Sequence, residues 1–203
     1  MRMMKLMPAF VALALLSVPV SAGYKLMPAG KAALVAKSGL SVTPAQPWNR
    51  LGGRVGRNAE SWTLDGLSLN DLTFYGGIAN NMTLFREVDK KNAPLPRFSS
   101  TMLIPDVVQL FEASYRVANG TSLMAIDSVE PAAFAGRQGF RFTYNFTVQN
   151  EEVKRLGEAR GAIIDGSLYM ITFEAPVIHY YAQGIDAFRK IADSAVIVAI
   201  PKK

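Results

Sequence analysis

The sequence predicts an exported α+β domain, with an antiparallel sheet of about six to eight strands covered by two main helices. Three observations predict it. Several segments alternate apolar and polar residues at the two-residue strand period, two stretches repeat apolar residues at helical spacing, and an Asp-Gly pair joins the best-matched strands as a hairpin. The order of strands, helix, strands, helix, strand is that of an α+β fold.

The chain opens with a leader. Arg2 and Lys5 precede an apolar run from Leu6 to Val20, and Val20-Ser21-Ala22 places small residues where a signal peptidase reads. The run is broken by Pro8 and Pro19 and falls short of the roughly 20 residues needed to span a bilayer. Cleavage after residue 22 is therefore expected, and the membrane becomes a partner only if the leader is kept as an anchor. The expected location is the bacterial periplasm or outside the cell. No cysteine occurs anywhere, which excludes a lipoprotein, disulfides and thiol chemistry. Loss of Arg2 and Lys5 lowers the net charge from +6 to +4. That diffuse charge, without a basic stripe interleaved with aromatics, argues against nucleic acid.

After the leader, residues 23–32 hold Gly23, Pro28 and Gly30 and read as a flexible lead-in to a single domain over 33–203. Residues 33–36 and 40–42 read as two short strands around a Lys37-Ser38-Gly39 turn, ended by Pro44 and Pro47. Residues 51–58, with Gly52, Gly53 and Gly56 beside Arg50, Arg54 and Arg57, read as a loop. A meander of residues 61–64, 67–69 and 72–75 follows, turning at Asp65-Gly66 and stopping at Gly76-Gly77. Asn80 to Phe98 is the longest irregular segment, of a length that is uncommon unless mobile or functional. Residues 104–117 place Ile104, Val107, Val108, Phe111 and Tyr115 on one helical stripe, with Pro105 in the first turn and Asn119-Gly120 as the stop.

Residues 123–129 form a strand candidate. Phe140, Phe142, Tyr144, Phe146 and Val148 then alternate with polar residues, as on a sheet with one buried face. Residues 159–164 and 168–174 make a hairpin through Asp165-Gly166, and Pro176 ends it. Residues 179–192 are the second helix, with Tyr181, Ile185, Phe188 and Ala192 on one side, and residues 195–200 a closing strand.

The C-terminal half carries a resemblance. Phe134-Ala135-Gly136 leads into Gly139-Phe140-Arg141-Phe142, a strand ends in Ile171-Thr172-Phe173-Glu174-Ala175-Pro176, and a tyrosine-bearing helix contains Phe188-Arg189-Lys190-Ile191 before Ser194-Ala195. This pattern resembles the PsbP/Mog1-like superfamily over residues 100–200, and over 33–75 in outline. The resemblance implies an α/β/α sandwich and a non-enzymatic adaptor or binding module, in a superfamily that includes exported bacterial proteins. It carries no shared catalytic set onto this chain.

The residues themselves point the same way. With one histidine, His179, a multi-histidine metal site is excluded, and no Gly-x-Ser-x-Gly elbow supplies a nucleophile for it. No cofactor or metal is expected. Gly52-Gly53-Arg54-Val55-Gly56 lacks the Lys-Ser/Thr ending of a phosphate loop. Asp127, Glu130, Asp165 and Glu174 could include an acid pair for hydrolysis, but no spacing puts two of them across a cleft. Glu174, among Phe173, Ala175 and Pro176, is best explained by a salt bridge. Arg160 faces Ile171 if Asp165-Gly166 is a two-residue turn, and either pairs with an acid such as Glu158 or enters a ligand pocket. The expected function is a non-catalytic, monomeric envelope domain that binds a protein or a small anionic or lipid ligand, with Arg50, Arg54, Arg57, Arg160 and Tyr180 as candidate contacts. The alternative is a small envelope hydrolase using an acid pair or His179 as general base.

Overall fold

A computed structural model describes residues 23–53, 55–121, 123–148 and 152–199. The leader expected at residues 1–22 falls outside the described residues, as does Arg54. Strands β1 (Tyr24–Met27), β4 (Trp48–Leu51), β5 (Ala59–Thr63), β6 (Asp71–Ile78), β7 (Leu123–Phe134), β8 (Arg137–Thr147), β9 (Lys154–Ile164) and β10 (Ser167–Pro176) form one antiparallel sheet in the order β1-β4-β5-β6-β10-β9-β8-β7. A second sheet of three strands joins β11 (Val196–Ile197), β3 (Leu40–Val42) and β2 (Ala33–Leu34). The helices are α1 (Ile104–Asn119) and α2 (Tyr180–Asp193).

Alternation along the strands divides the interior into two cores. On β10, Ile171, Phe173 and Ala175 join Trp48, Trp62 and the α2 residues Ile185, Phe188 and Ile191. Leu168 and Met170, one residue out of step, join Phe140, Phe142, Tyr144 and the α1 residues Val107, Val108 and Phe111. A strand buried on both faces needs both sets, which is why β10 reads as near-continuous apolar sequence.

Hairpin turns follow the local chemistry. Asp165 and Gly166 have φ of 50° and 74°, the signs that a type I′ turn requires, and the resulting register sets Arg160 opposite Ile171. Ala135-Gly136 repeats the device between β7 and β8 (φ 49° and 72°). Helix α1 ends at Gly120 in the left-handed conformation, as Asn119-Gly120 suggested.

Several expectations are corrected. Tyr24–Met27, inside the stretch read as a lead-in, pair with β4. Residues 67–69 form a turn instead of a strand: Leu69 and Asn70 N–H both donate to the Gly66 carbonyl, at 2.9 and 3.0 Å, and side chains hold the approach to it, Leu64 N–H donating to Asn70 Oδ1 at 2.7 Å and Gly66 N–H to Thr63 Oγ1 at 2.9 Å. Gly76-Gly77 carries β6 onward through an irregular register, and a side chain at Gly76 would collide with Ser38. The 33–42 unit leaves the main sheet and pairs with β11, anchored where Ala36 N–H donates to the buried Glu60 carboxylate at 2.9 Å. The long segment over 80–98 has neither helix nor strand, yet Leu84, Phe85, Leu95 and Phe98 are buried in the α1-side core. Helix α2 begins at Tyr180, since His179 (φ 72°, ψ −57°) occupies a γ-turn closed by Tyr180 N–H donating to Ile178 C=O at 2.9 Å.

Candidate functional site

Among the described residues, those proposed from sequence lie apart from one another. Arg50 forms an ion pair with Glu60 at 2.9 Å, and the same carboxylate accepts from Trp62 Nε1 at 2.9 Å. Arg57 is exposed. Arg160 pairs with Asp193 of α2 at 2.9 Å. Glu158, the acid suggested for it, is fully buried and takes Arg189 at 2.8 Å and Arg141 at 3.0 Å instead. Burial alone would raise the Glu158 carboxyl, but hydrogen bonds from Arg189 and Arg141 outweigh it and hold the group below its ordinary value. These charges fasten α2 to β8 and β9. Tyr180 lines a separate polar hollow with Gln46, Asp65, Asn70 and Gln183. His179 is exposed and lies in none of the hollows described here.

The other face of the sheet holds a different arrangement. Asp71 on β6 and Glu174 on β10 are direct cross-strand partners, so their side chains leave the same face at neighbouring positions. Glu174 is in register with Gly157 of β9, and Gly157 with Tyr144 of β8. The row therefore runs Tyr144, Gly157, Glu174, Asp71 across four strands. Gly157 is what lets it work: a Cβ there would stand 2.1 Å from Tyr144 Cζ, so the missing side chain makes room for the ring to cross β9. Tyr144 donates to Glu174 Oε2 at 3.1 Å, and Tyr115, from the last turns of α1, donates to Oε1 at 2.7 Å. Thr73 donates to Asp71 Oδ1 at 2.9 Å and shares a hydrogen bond with Ser61.

No salt bridge among the described residues engages Asp71 or Glu174, in contrast to Glu60 and Glu158. The salt bridge expected for Glu174 is thus replaced by two tyrosine hydroxyls. Arg155, whose guanidinium donates to the Ser68 carbonyl, contributes a positive field at both acids. Burial dominates nonetheless. It raises Asp71 from 3.8 to about 6, against the hydrogen bonds from Thr73 and Ser61. It raises Glu174 from 4.5 to about 7, with repulsion from Asp71 adding to it. Two like charges side by side do not both ionise readily, so near neutrality the pair retains about one proton. Burial likewise pushes the Tyr75, Tyr115 and Tyr144 hydroxyls far above their ordinary range, so they remain donors.

Both acids are half-buried because they floor a cleft. Three hollows with shared lining residues, of ≈ 590, 310 and 220 Å³, each touch one or both acids. The first is walled by Tyr24, Leu51, Gly52, Gly53, Val55 and Leu67 above Asp71 and Ser61. The second sits between Phe85, Arg86, Val88 and the end of α1, with Asp71 and Glu174 beneath. The third reaches Arg155, Thr121 and Phe146, again over Glu174. Sequence reasoning missed Asp71, Tyr115 and Tyr144. The available signal was the strand period, which sets Asp71 in step with Thr73 and Tyr75, and Glu174 in step with Thr172 and Met170. Among the described residues no group of three or more acids or histidines is placed to hold a metal.

No family model matches the chain, and no curated protein matches it. Solved structures do. The solution structure of cyanobacterial PsbP (CyanoP) from Synechocystis sp. PCC 6803 is similar at 13% identity and a TM-score of 0.50, over 93% of this chain and 98% of that one. LpqN, involved in cell envelope biogenesis of Mycobacterium tuberculosis, aligns at 10% identity and a TM-score of 0.36, over 87% and 92% of the two chains. The likeness extends beyond the C-terminal half that suggested it, through the paired strands on either side of α1, and the fold of this chain is PsbP-like.

Proposed function

We propose that this chain is an exported, non-catalytic binding domain of the bacterial cell envelope, and that its ligand sits in the cleft over Asp71 and Glu174. The observation that carries the reading is an adjacent acid pair held by hydroxyls, with no salt bridge to either acid among the described residues. Elsewhere in the fold a buried carboxylate meets an arginine, which avoids the heavy cost of a buried charge left without a partner. At the cleft floor two acids stand side by side with hydroxyl partners, which costs folding free energy and is explained by use. The leader motif of residues 1–22 supports export. The α/β/α sandwich expected from the sequence belongs to the same reading, supported by α1 residues joining one core and α2 residues the other, with the end of α1 lining the cleft.

Recovery of a bound molecule tests this. The purified protein is exposed to envelope extract and its small-molecule complement read by native mass spectrometry, beside Tyr24→Ala and Glu174→Gln. A ligand retained by the wild type and lost from both variants is expected. Equal retention by all three, or none by any, sinks the reading.

The acid pair also favours a second reading, an envelope hydrolase in which one carboxyl donates a proton and the other serves as base or nucleophile. Turnover of a glycoside or ester abolished by Asp71→Asn or Glu174→Gln, and indifferent to His179→Ala, would replace binding with catalysis.

A further inference from the structure

The chemistry of the cleft narrows the ligand class, on the footing that the cleft is the binding site. We propose that it takes a neutral, hydroxyl-rich ligand, a sugar or short glycan, whose hydroxyls bond the Asp71–Glu174 pair while Tyr24 lies against its C–H face.

Charge is the first reason. The two acids are set against Arg155 on the same sheet face and Arg86 at the rim, so the cleft has no strong net field selecting a cation. Neither an anion nor a cation finds a floor of one sign there, and a neutral ligand meets both kinds of group.

Hydrogen bonding is the second. A hydroxyl group donates and accepts at once. Adjacent carboxyls that hold one proton between them offer an O–H donor beside several acceptor oxygens, which matches vicinal hydroxyls and matches a fatty acyl chain poorly. The hydroxyls of Thr73 and Tyr115 stand around the same floor.

Shape is the third. The largest hollow, ≈ 590 Å³, falls within the ~300–1,000 Å³ of small-molecule sites. Its walls are apolar above a polar floor, and the Tyr24 side chain remains 56% exposed at the rim. An accessible aromatic face beside buried hydrogen-bonding groups suits a ring that is polar at its edge and apolar on its C–H face.

The test uses ligand-observed NMR and calorimetry on the purified protein. The probes are maltotriose and tri-N-acetylchitotriose, against spermidine, inorganic phosphate and decanoate. At least one trisaccharide is expected to bind saturably. Its affinity should fall by about tenfold or more in Tyr24→Ala, an exposed position that leaves the core intact, and in Asp71→Asn. It should weaken from about pH 6 to about pH 8.5 as the shared proton is lost, and change little between about 0.05 and 0.5 M salt. Binding that persists in both variants overturns the assignment. Capture of spermidine, phosphate or decanoate in place of the saccharides overturns the ligand class and leaves a binding domain standing. Failure of every probe, together with no ligand from envelope extract, removes both.

Discussion

Replacing Glu174 by glutamine should make this protein more stable at neutral and alkaline pH. Folding raises the Glu174 carboxyl from 4.5 to about 7, a difference of about 2.5 pH units. At about 1.4 kcal/mol per unit, keeping it ionised in the folded state at pH 8 costs about 3 kcal/mol, a ceiling because water in the open cleft screens part of it. The sign follows from proton counting. Both acids bind protons more tightly when folded, so between about pH 4 and pH 7 the folded chain holds more protons than the unfolded one, and stability falls as pH rises through that window. Glutamine removes the charge and keeps the hydrogen bonds, since its amide oxygen accepts from Tyr115 and its NH2 donates to the Tyr144 oxygen. Urea unfolding of wild type and Glu174→Gln at about pH 5 and pH 8 reads the effect. The variant should exceed the wild type by up to about 3 kcal/mol at the higher pH, and the two should converge at the lower. A wild type whose stability is flat from pH 5 to 8, or a variant that is weaker at both, would refute the reasoning.

Other substitutions probe the surrounding architecture. Gly157→Ala drives a methyl group into the Tyr144 ring, and an overpacking loss of about 1–3 kcal/mol should accompany a changed tyrosine fluorescence or near-UV signal. Glu158→Ala strands Arg141 of β8 and Arg189 of α2, and because Arg189 is 41% exposed to screening solvent the loss should be about 2 kcal/mol by denaturant titration. In the wild type the Glu158 contribution is present above about pH 4.5 and disappears as acid drives the pH through its lowered folded value, so its signature separates from that of the cleft acids. Gly166→Ala has space for its methyl, the nearest atom being Ser100 Cβ at 3.8 Å, so its expected cost of about 1 kcal/mol in thermal unfolding is the price of φ +74° alone.

The fold was legible where one physical signal dominated. Period-two alternation located β8, helical spacing located both helices, and Asp165-Gly166 set a register that placed Arg160 opposite Ile171. Strand lengths were less legible. β9 begins at Lys154, well before residue 159, because Gly157 is selected by a tyrosine from the next strand and leaves no apolar mark. The second sheet was hidden because its pairing of β3 with β11 spans nearly the whole domain, and its anchor is a buried Glu60 that looks like a surface acid in sequence. The site was half-legible. Glu174 stood out as an acid in an apolar run, but its neighbour comes from a strand about one hundred residues earlier, and only the register unites them. The arginines drew attention by being charged, and the structure places Arg50 and Arg160 in ion pairs.

The wall of the cleft has a practical consequence. Gly23 and Tyr24 line its largest hollow, so the first described residues belong to the surface proposed for binding. An affinity handle or fluorophore appended ahead of Gly23 would hang over the entrance and compete with whatever docks there. One attached beyond β11 would emerge from the three-stranded sheet, whose residues pack into the α2-side core, on the reverse of the molecule. Screening campaigns run only with amino-terminal fusions would therefore select against any molecule that uses the proposed site.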